Sequence, residues 1–356
     1  MTTAKPPEAP STRLYSPPVL TSPDLDALIA DTEQEILRVI ERVQDERTHE
    51  LYEMVRYHLG LDQGGPRGKR IRPLLGLLAY ESLTGQHEAA LPGAAAVELG
   101  HNFSLVHDDI EDRDVERHHR ATLWMVFGQA QAINTGDTLF TLSRMALYRL
   151  RELGFSDAKV LALMSLYDET CLALCEGQFM DIWSAEHDDR LSVEFYFDMI
   201  GRKTAALIAA SVQAGAMLAT DDAAVIDAYR GFGWSLGIAF QLNDDLLGIW
   251  GDEQRTGKEP SDLAKHKKTL PIIYALERAR AADAARLREL LATPDPSTGL
   301  VIEARQILER SGARDYTRAR AREERDEALR RIESTGVVDG EALERLRLIV
   351  VSAISA

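Results

Sequence analysis

Apolar side chains recur at spacings of three and four along most of the chain. Leu25, Leu28, Ile29, Ile36, Val39, Ile40 and Val43 trace one helical face, and no proline interrupts the pattern between Gly93 and Glu259. The stretches 94–106, 204–219 and 231–249 are rich in Ala, Gly and large apolar residues on every side. This predicts central helices enclosed by others, with the more polar amphipathic segments packed around them. Strand signals are scarce, and short Val/Ile runs such as 349–351 sit inside helical patterns. Loops are expected at 62–68, around Gly85, and at 187–190, 251–261 and 293–299; the Ala/Arg/Glu-rich stretches 276–291 and 313–331 read as exposed C-terminal helices. The expected class is an all-α, single-domain bundle of many helices.

Composition narrows this picture. At 356 residues, 45% apolar and 28% charged, the chain buries a substantial core, is too hydrophobic to be disordered and too charged for a membrane bundle. Six of its 13 prolines fall within the first 24 residues, so 1–24 is expected to be a disordered Ser/Thr/Pro-rich tail and 25–356 the folded domain. There is no secretory signal and no uninterrupted apolar run long enough to span a bilayer, which gives a cytoplasmic expectation. Cys171 and Cys175, the only cysteines, read as small buried apolar side chains. A formal charge of −16 argues against nucleic acid as a partner.

The acidic residues cluster where they are hard to accommodate. The apolar helix 94–106 runs directly into Asp108-Asp109-Ile110-Glu111-Asp112, with Asp108 and Asp112 on one face. An isolated acidic run is usually a solvated helix end. Here the carboxylates repel one another and oppose the macrodipole at the end of a core helix, so they call for a cation. The apolar helix 231–240 is expected to end similarly, in Gln241-Leu242-Asn243-Asp244-Asp245. Two such banks suit magnesium, which takes one or two carboxylates and completes its shell with water and phosphate oxygens.

Three basic groups match a phosphorylated substrate. Lys69 and Arg72 stand at a predicted helix start in Gly68-Lys69-Arg70-Ile71-Arg72-Pro73. Arg202-Lys203-Thr204 is expected to open a core helix, whose N-terminal dipole favours anions. Lys258, Lys265, Lys267 and Lys268 follow the second aspartate pair. Each alone reads as surface charge; together, in an acidic chain, they fit a phosphate-rich pocket.

In order and spacing these motifs resemble the trans-isoprenyl diphosphate synthases, the polyprenyl synthetase family, over about residues 60 to 275, and geranylgeranyl diphosphate synthases most. The resemblance implies an isoprenoid synthase type bundle around a central cavity, a homodimer, and three Mg2+ ions held by Asp108, Asp109, Asp112 and Asp244, with Asp245 supporting the second bank. It implies that Arg117, Lys203, Thr204, Gln241, Lys258 and Lys267 surround the diphosphate of an allylic substrate. Lys69, Arg72 and His101, with His118, would bind isopentenyl diphosphate.

Two positions depart from the pattern: Gly248 stands where a third aspartate is usual, and His118 where a second arginine is usual. Product length is expected to depend on Phe103 and Ser104, one helical turn before Asp108. These residues favour a C20 product, with C15 and C25 open. A class I terpene cyclase or lyase, and a regulatory subunit of a heteromeric synthase, are the alternatives. Retained metal-ligand candidates disfavour the subunit, and Lys69, Arg72 and His101 disfavour the cyclase.

Overall fold

The computed structural model describes residues 23–62, 68–186, 191–251, 261–333 and 337–353. Residues 1–22 of the expected tail, most of the loops expected at 62–68 and 251–261, and all of 187–190 lie outside the described residues. The chain is helical nearly throughout. It runs α1 (Pro23–Glu41), α2 (His49–Leu59), α3 (Ile71–Thr84), α4 (Leu91–Glu111), a two-stranded hairpin, α5 (Leu123–Phe127), α6 (Gln129–Glu152), α7 (Asp157–Glu186), α8 (Val193–Ile200), α9 (Ala206–Ala219), α10 (Ala223–Trp250), α11 (Leu270–Arg278), α12 (Ala281–Leu291), α13 (Thr298–Arg310), α14 (Ala313–Ile332) and α15 (Gly340–Ala353).

The helices end where local chemistry satisfies their orphan groups. Asp222 caps α10 by accepting from the Ala224 and Val225 amides, Ser192 caps α8 at Phe195, and Gly60 and Gly85 close α2 and α3 in the left-handed conformation. α4 packs along α6, α3 along α9, and α10 between α9 and α14. Their contacts bury Leu75, Leu77, Leu78, Leu99, Val212, Phe232 and Tyr229, each large apolar side chain contributing on the order of 2 kcal/mol. A second cluster around Ile249, Ile272, Leu287 and Ile307 joins α11, α12 and α13 to the end of α10.

Four expectations are corrected. The acidic pair of α10 is not at its end, because Leu246, Gly248 and Ile249 are buried and carry the helix on to Trp250. Residues 202–204 open no helix: Gly201–Ala205 is a π-turn that runs from α8 into α9, leaving no free N-terminus. The stretch 276–291 is broken between Arg278 and Ala281. Cys175 is exposed, whereas Cys171 is buried as expected. The hairpin pairs Glu116–Arg117 with Arg120–Ala121, and its turn residues His118 and His119 both take left-handed backbone, at φ 52° and 60°.

Candidate active site

The first acidic bank forms at the end of α4, a helix that must stay apolar to pass through the core and becomes acidic where it emerges. Burial pushes the Asp108 carboxyl up to about 7, and Asp112 and Glu111 add to the rise while Lys203 opposes it. Burial also raises Asp109 and Asp112. Arg117, brought back by the hairpin, donates to Asp109 Oδ1 at 2.8 and 2.7 Å. The other oxygen, Asp109 Oδ2, is buried and unpartnered.

α7 and the π-turn face this bank. Lys203 Nζ donates to Asp181 at 2.5 Å. Burial disfavours its charge, but Asp181, Asp108 and Asp112 outweigh that and leave the lysine pKa raised. Gln178 donates to Glu111 at 2.7 Å. The next residue of the π-turn turns to the other bank: Thr204 Oγ1 donates to Gln241 Oε1 at 3.0 Å, and Gln241 Nε2 donates to Asp245 Oδ1 at 3.1 Å. The segment before α11 also touches both banks. Lys267 lies near Asp112, and the Leu270 amide donates to Asp245 at 2.9 Å. Two segments thus hold the aspartates of α4 and α10 across one cleft.

Asp245 differs from its expected place among metal ligands. It is buried, and Tyr196, Gln241 and the Leu270 amide occupy its oxygens, so it orients Gln241 and braces α10. Asp244, on the preceding position of the helix, is half-buried, whereas Asp245 is buried. Gly248 has a steric reason: a Cβ there would overlap the Asp262 carboxyl, and the Asp262 amide donates to the Gly248 carbonyl at 3.1 Å. An aspartate at 248 has no room in this arrangement. Lys258 lies outside the described residues.

The third group is a separate, basic pocket. Arg72 Nη1 and His101 Nε2 are 3.0 Å apart, and Arg72 Nε is buried without a partner. Burial, then Arg72 and Arg117, holds His101 well below its ordinary range and therefore neutral. Arg70, between the two expected ligands, serves the fold instead. It donates to Glu98 at 2.7 Å, to Glu33 at 3.4 Å and to the Leu59 carbonyl, tying α1, α2 and α4 to the start of α3. Lys69 is exposed beside it, and the His118 ring lies about one side-chain contact from Gly68. His58 of α2 joins this group, and the sequence reading did not single it out. Burial, then Arg117, Arg70 and His118, pushes its pKa down to about 3, and its Nε2 is buried and unpartnered. A lone histidine on an amphipathic helix carries no pattern that would reveal it.

Phe103 is buried, edge-on to Phe140 at 5.2 Å, while Ser104 beside it keeps part of its surface accessible. Among the described residues no three His, Cys, Asp or Glu side chains converge on one preformed metal position. Oxygen donors that repel one another, one of them an orphaned Asp109 oxygen, fit a hard cation that brings water and phosphate oxygens of its own.

The sequence matches the polyprenyl synthetase family model over residues 48–308. It is 40% identical over 283 residues to a short chain isoprenyl diphosphate synthase of Methanothermobacter thermautotrophicus, covering 79% of this chain and 84% of that one. A (2E,6E)-farnesyl diphosphate synthase of Mycobacterium tuberculosis is 36% identical over 301 residues, 82% of each chain. Among solved structures, a geranylgeranyl pyrophosphate synthetase from Pyrococcus horikoshii superposes with a TM-score of 0.82 at 30% identity, over 94% of this chain and 99% of that one.

Proposed function

Because the chain belongs to the polyprenyl synthetase family, we propose that it condenses isopentenyl diphosphate with an allylic diphosphate and releases geranylgeranyl diphosphate as its main product. The observation that carries this reading is the presence of two anion pockets. The cleft between Asp108, Asp112 and Asp244, with Lys203, Thr204, Gln241 and Lys267, receives the allylic diphosphate. The pocket of Lys69, Arg72, His101 and His118 receives the isopentenyl diphosphate. A cyclase acting on one substrate has no use for the second.

Magnesium held by Asp108, Asp109, Asp112 and Asp244 would supply Lewis-acid stabilisation of the leaving diphosphate. Lys203, fixed by Asp181, places its charge where that diphosphate departs, and Thr204 and Gln241 orient it by hydrogen bonds. The allylic carbon–oxygen bond breaks with its electron pair going to diphosphate. The double bond of isopentenyl diphosphate then forms the new carbon–carbon bond, and a proton is lost to regenerate an alkene, with the released diphosphate as acceptor. The apolar flank of α4 below Asp108 keeps water from the cation. No side-chain nucleophile is required.

We also propose a homodimer. Leu161, Leu172 and Phe179 on α7 and Ile133 and Tyr148 on the neighbouring α6 are exposed apolar residues that a second copy would cover.

Incubation with magnesium, isopentenyl diphosphate and each short allylic diphosphate, followed by chromatography of the dephosphorylated products, tests the reading. A longer linear prenyl alcohol, chiefly C20, is expected. A cyclic hydrocarbon, or no product from any primer, overturns it.

A further inference from the structure

The end of α2 is tied down on both sides of one residue. The Tyr57 hydroxyl donates to the Ala121 carbonyl of the hairpin at 2.8 Å, Arg120 lies over the Tyr57 ring at 3.4 Å, and Arg120 Nη1 donates to the Tyr57 carbonyl at 3.2 Å. On the other side, the Leu59 carbonyl accepts from Arg70 at the start of α3. His58 stands between these anchors. Its ring is fixed where Arg117, Arg70 and His118 are the charged and titratable neighbours, and close enough to His101 to lower that ring's pKa as well. It therefore belongs to the wall of the basic pocket.

One ring nitrogen of His58 is committed and the other is not. The ring donates to the Asn102 main chain of α4, a hydrogen bond that opposes its low pKa. The buried Nε2 has no partner. The tautomer follows: Nδ1 carries the proton and Nε2 presents a lone pair. A buried acceptor of this kind is costly unless a donor reaches it, and a phosphate oxygen, itself an acceptor, does not serve. Arg70 is engaged with Glu98, Glu33 and the Leu59 carbonyl, and Arg117 with Asp109. His118 is the remaining neighbour. It is exposed at the hairpin tip, its Nε2 facing Gly68 in the segment that leads to Lys69 and Arg72. Burial, then Arg117, Arg70, His119 and Lys69, lowers its pKa, so in the protein alone this ring is neutral. The carboxylates of the region do not offset those cations: Glu33 and Glu98 pair with Arg70, Asp109 with Arg117, and Glu116 reaches His119.

We propose that His58 is a positioning residue for isopentenyl diphosphate that acts through His118: when the diphosphate binds, His118 is doubly protonated and donates one ring N–H to a phosphate oxygen and the other to His58 Nε2. The proposal rests on the prenyltransferase reading above. A guanidinium at position 118 would be charged at every working pH and would need no support. An imidazole needs both a proton and an acceptor behind it. The diphosphate outweighs the surrounding cations and draws a proton from solvent onto His118, and His58 receives the second N–H. Left neutral, His118 would give its single N–H to the diphosphate and turn a lone pair toward that of His58. Two histidines, one from α2 and one from the hairpin, thus do together what one arginine would do alone.

The test measures KM for isopentenyl diphosphate and kcat, at saturating allylic diphosphate and magnesium, for wild type, His58→Leu and His58→Gln, each also in a His118→Arg background. Without His118→Arg, His58→Leu is expected to raise KM about tenfold while kcat changes less than about twofold, the scale of one lost hydrogen bond to a charged group. His58→Gln, whose amide oxygen accepts the same N–H, should recover most of that loss. With His118→Arg, His58→Leu should leave KM within about twofold, because the guanidinium needs no acceptor. An equal rise in both backgrounds shows that His58 acts through packing alone, and no rise in either shows that it does not act on the pocket; both overturn the proposal. If His58→Leu fails to fold, pH decides: between about pH 6 and about pH 9 the KM of wild type should climb more steeply than that of His118→Arg, and parallel profiles overturn the proposal. Absence of any prenyl product from wild type overturns the prenyltransferase reading itself, so the two failures are distinct.

Discussion

Asp108 shows how one residue can trade stability for function. Its carboxyl, ordinarily titrating near 3.8, is pushed up to about 7 by burial. The folded chain therefore binds this proton more tightly than the unfolded chain does. The stabilisation this gives is complete below pH 3.8 and is lost as pH rises through 7, leaving a charged, strained carboxylate. Asp108→Asn removes that strain. In chelator its melting temperature is expected to match wild type near pH 4 and exceed it at pH 8, by the equivalent of about 1–3 kcal/mol. Turnover should fall by at least about 10²-fold, the scale of losing one stabilising group at a developing charge. Unchanged kinetics would remove Asp108 from the site. The sequence revealed this residue because acidic side chains after a core helix demand compensation. It could not reveal that Asp245, adjacent in type and spacing to Asp244, is taken by Tyr196 and the Leu270 amide. Those partners come from distant segments, and a helix position alone does not say which neighbour reaches it.

At the scale of elements, the π-turn Gly201–Ala205 is what converts two helices into a site. A regular helix would put consecutive residues about 100° apart without freeing a position; the extra residue of a π-turn re-aims them, and such turns recur at functional sites. Here Lys203 goes to Asp181 of α7, with Asp108 and Asp112 of the α4 bank nearby, and Thr204 to α10. The turn can approach α7 only because residue 177 lacks a side chain, since a Cβ there would lie 2.8 Å from Lys203 Cα. Gly177→Ala should push Lys203 from Asp181 and Thr204 from Gln241 together, lowering kcat on the order of 10²-fold, as displacements near 1 Å can do. Helical content by circular dichroism should stay unchanged. Full activity in this variant would show that the turn's position is not critical. The apolar periodicity that marked α9 and α10 in the sequence is insensitive to one inserted residue, which is why a helix start was expected at 202–204. The 116–121 hairpin escaped notice for a related reason, being too short to alternate.

For the whole molecule, the bundle was legible because its central helices are apolar on all sides and proline is absent from the middle of the chain; assembly was not, because an exposed face reads the same whether water or another subunit covers it. The charge of −16 disfavours association in general, yet α7 carries an apolar stripe on its outer face. Leu161, Leu172 and Phe179 are each more than 60% exposed, and their spacings of eleven and seven residues keep them on one side of the helix. Such a stripe on an acidic protein is costly in water unless it is covered, and apolar cores of this kind are typical of homodimer interfaces. A dimer of the 39.6 kDa chain is therefore expected by light scattering. Leu172→Glu places a charge at the centre of the stripe, where desolvating it without a partner costs more than the contact contributes. That variant should run as a folded monomer with an unchanged circular dichroism spectrum. If wild type is monomeric, or if Leu172→Glu remains a dimer, the subunits do not meet through this face.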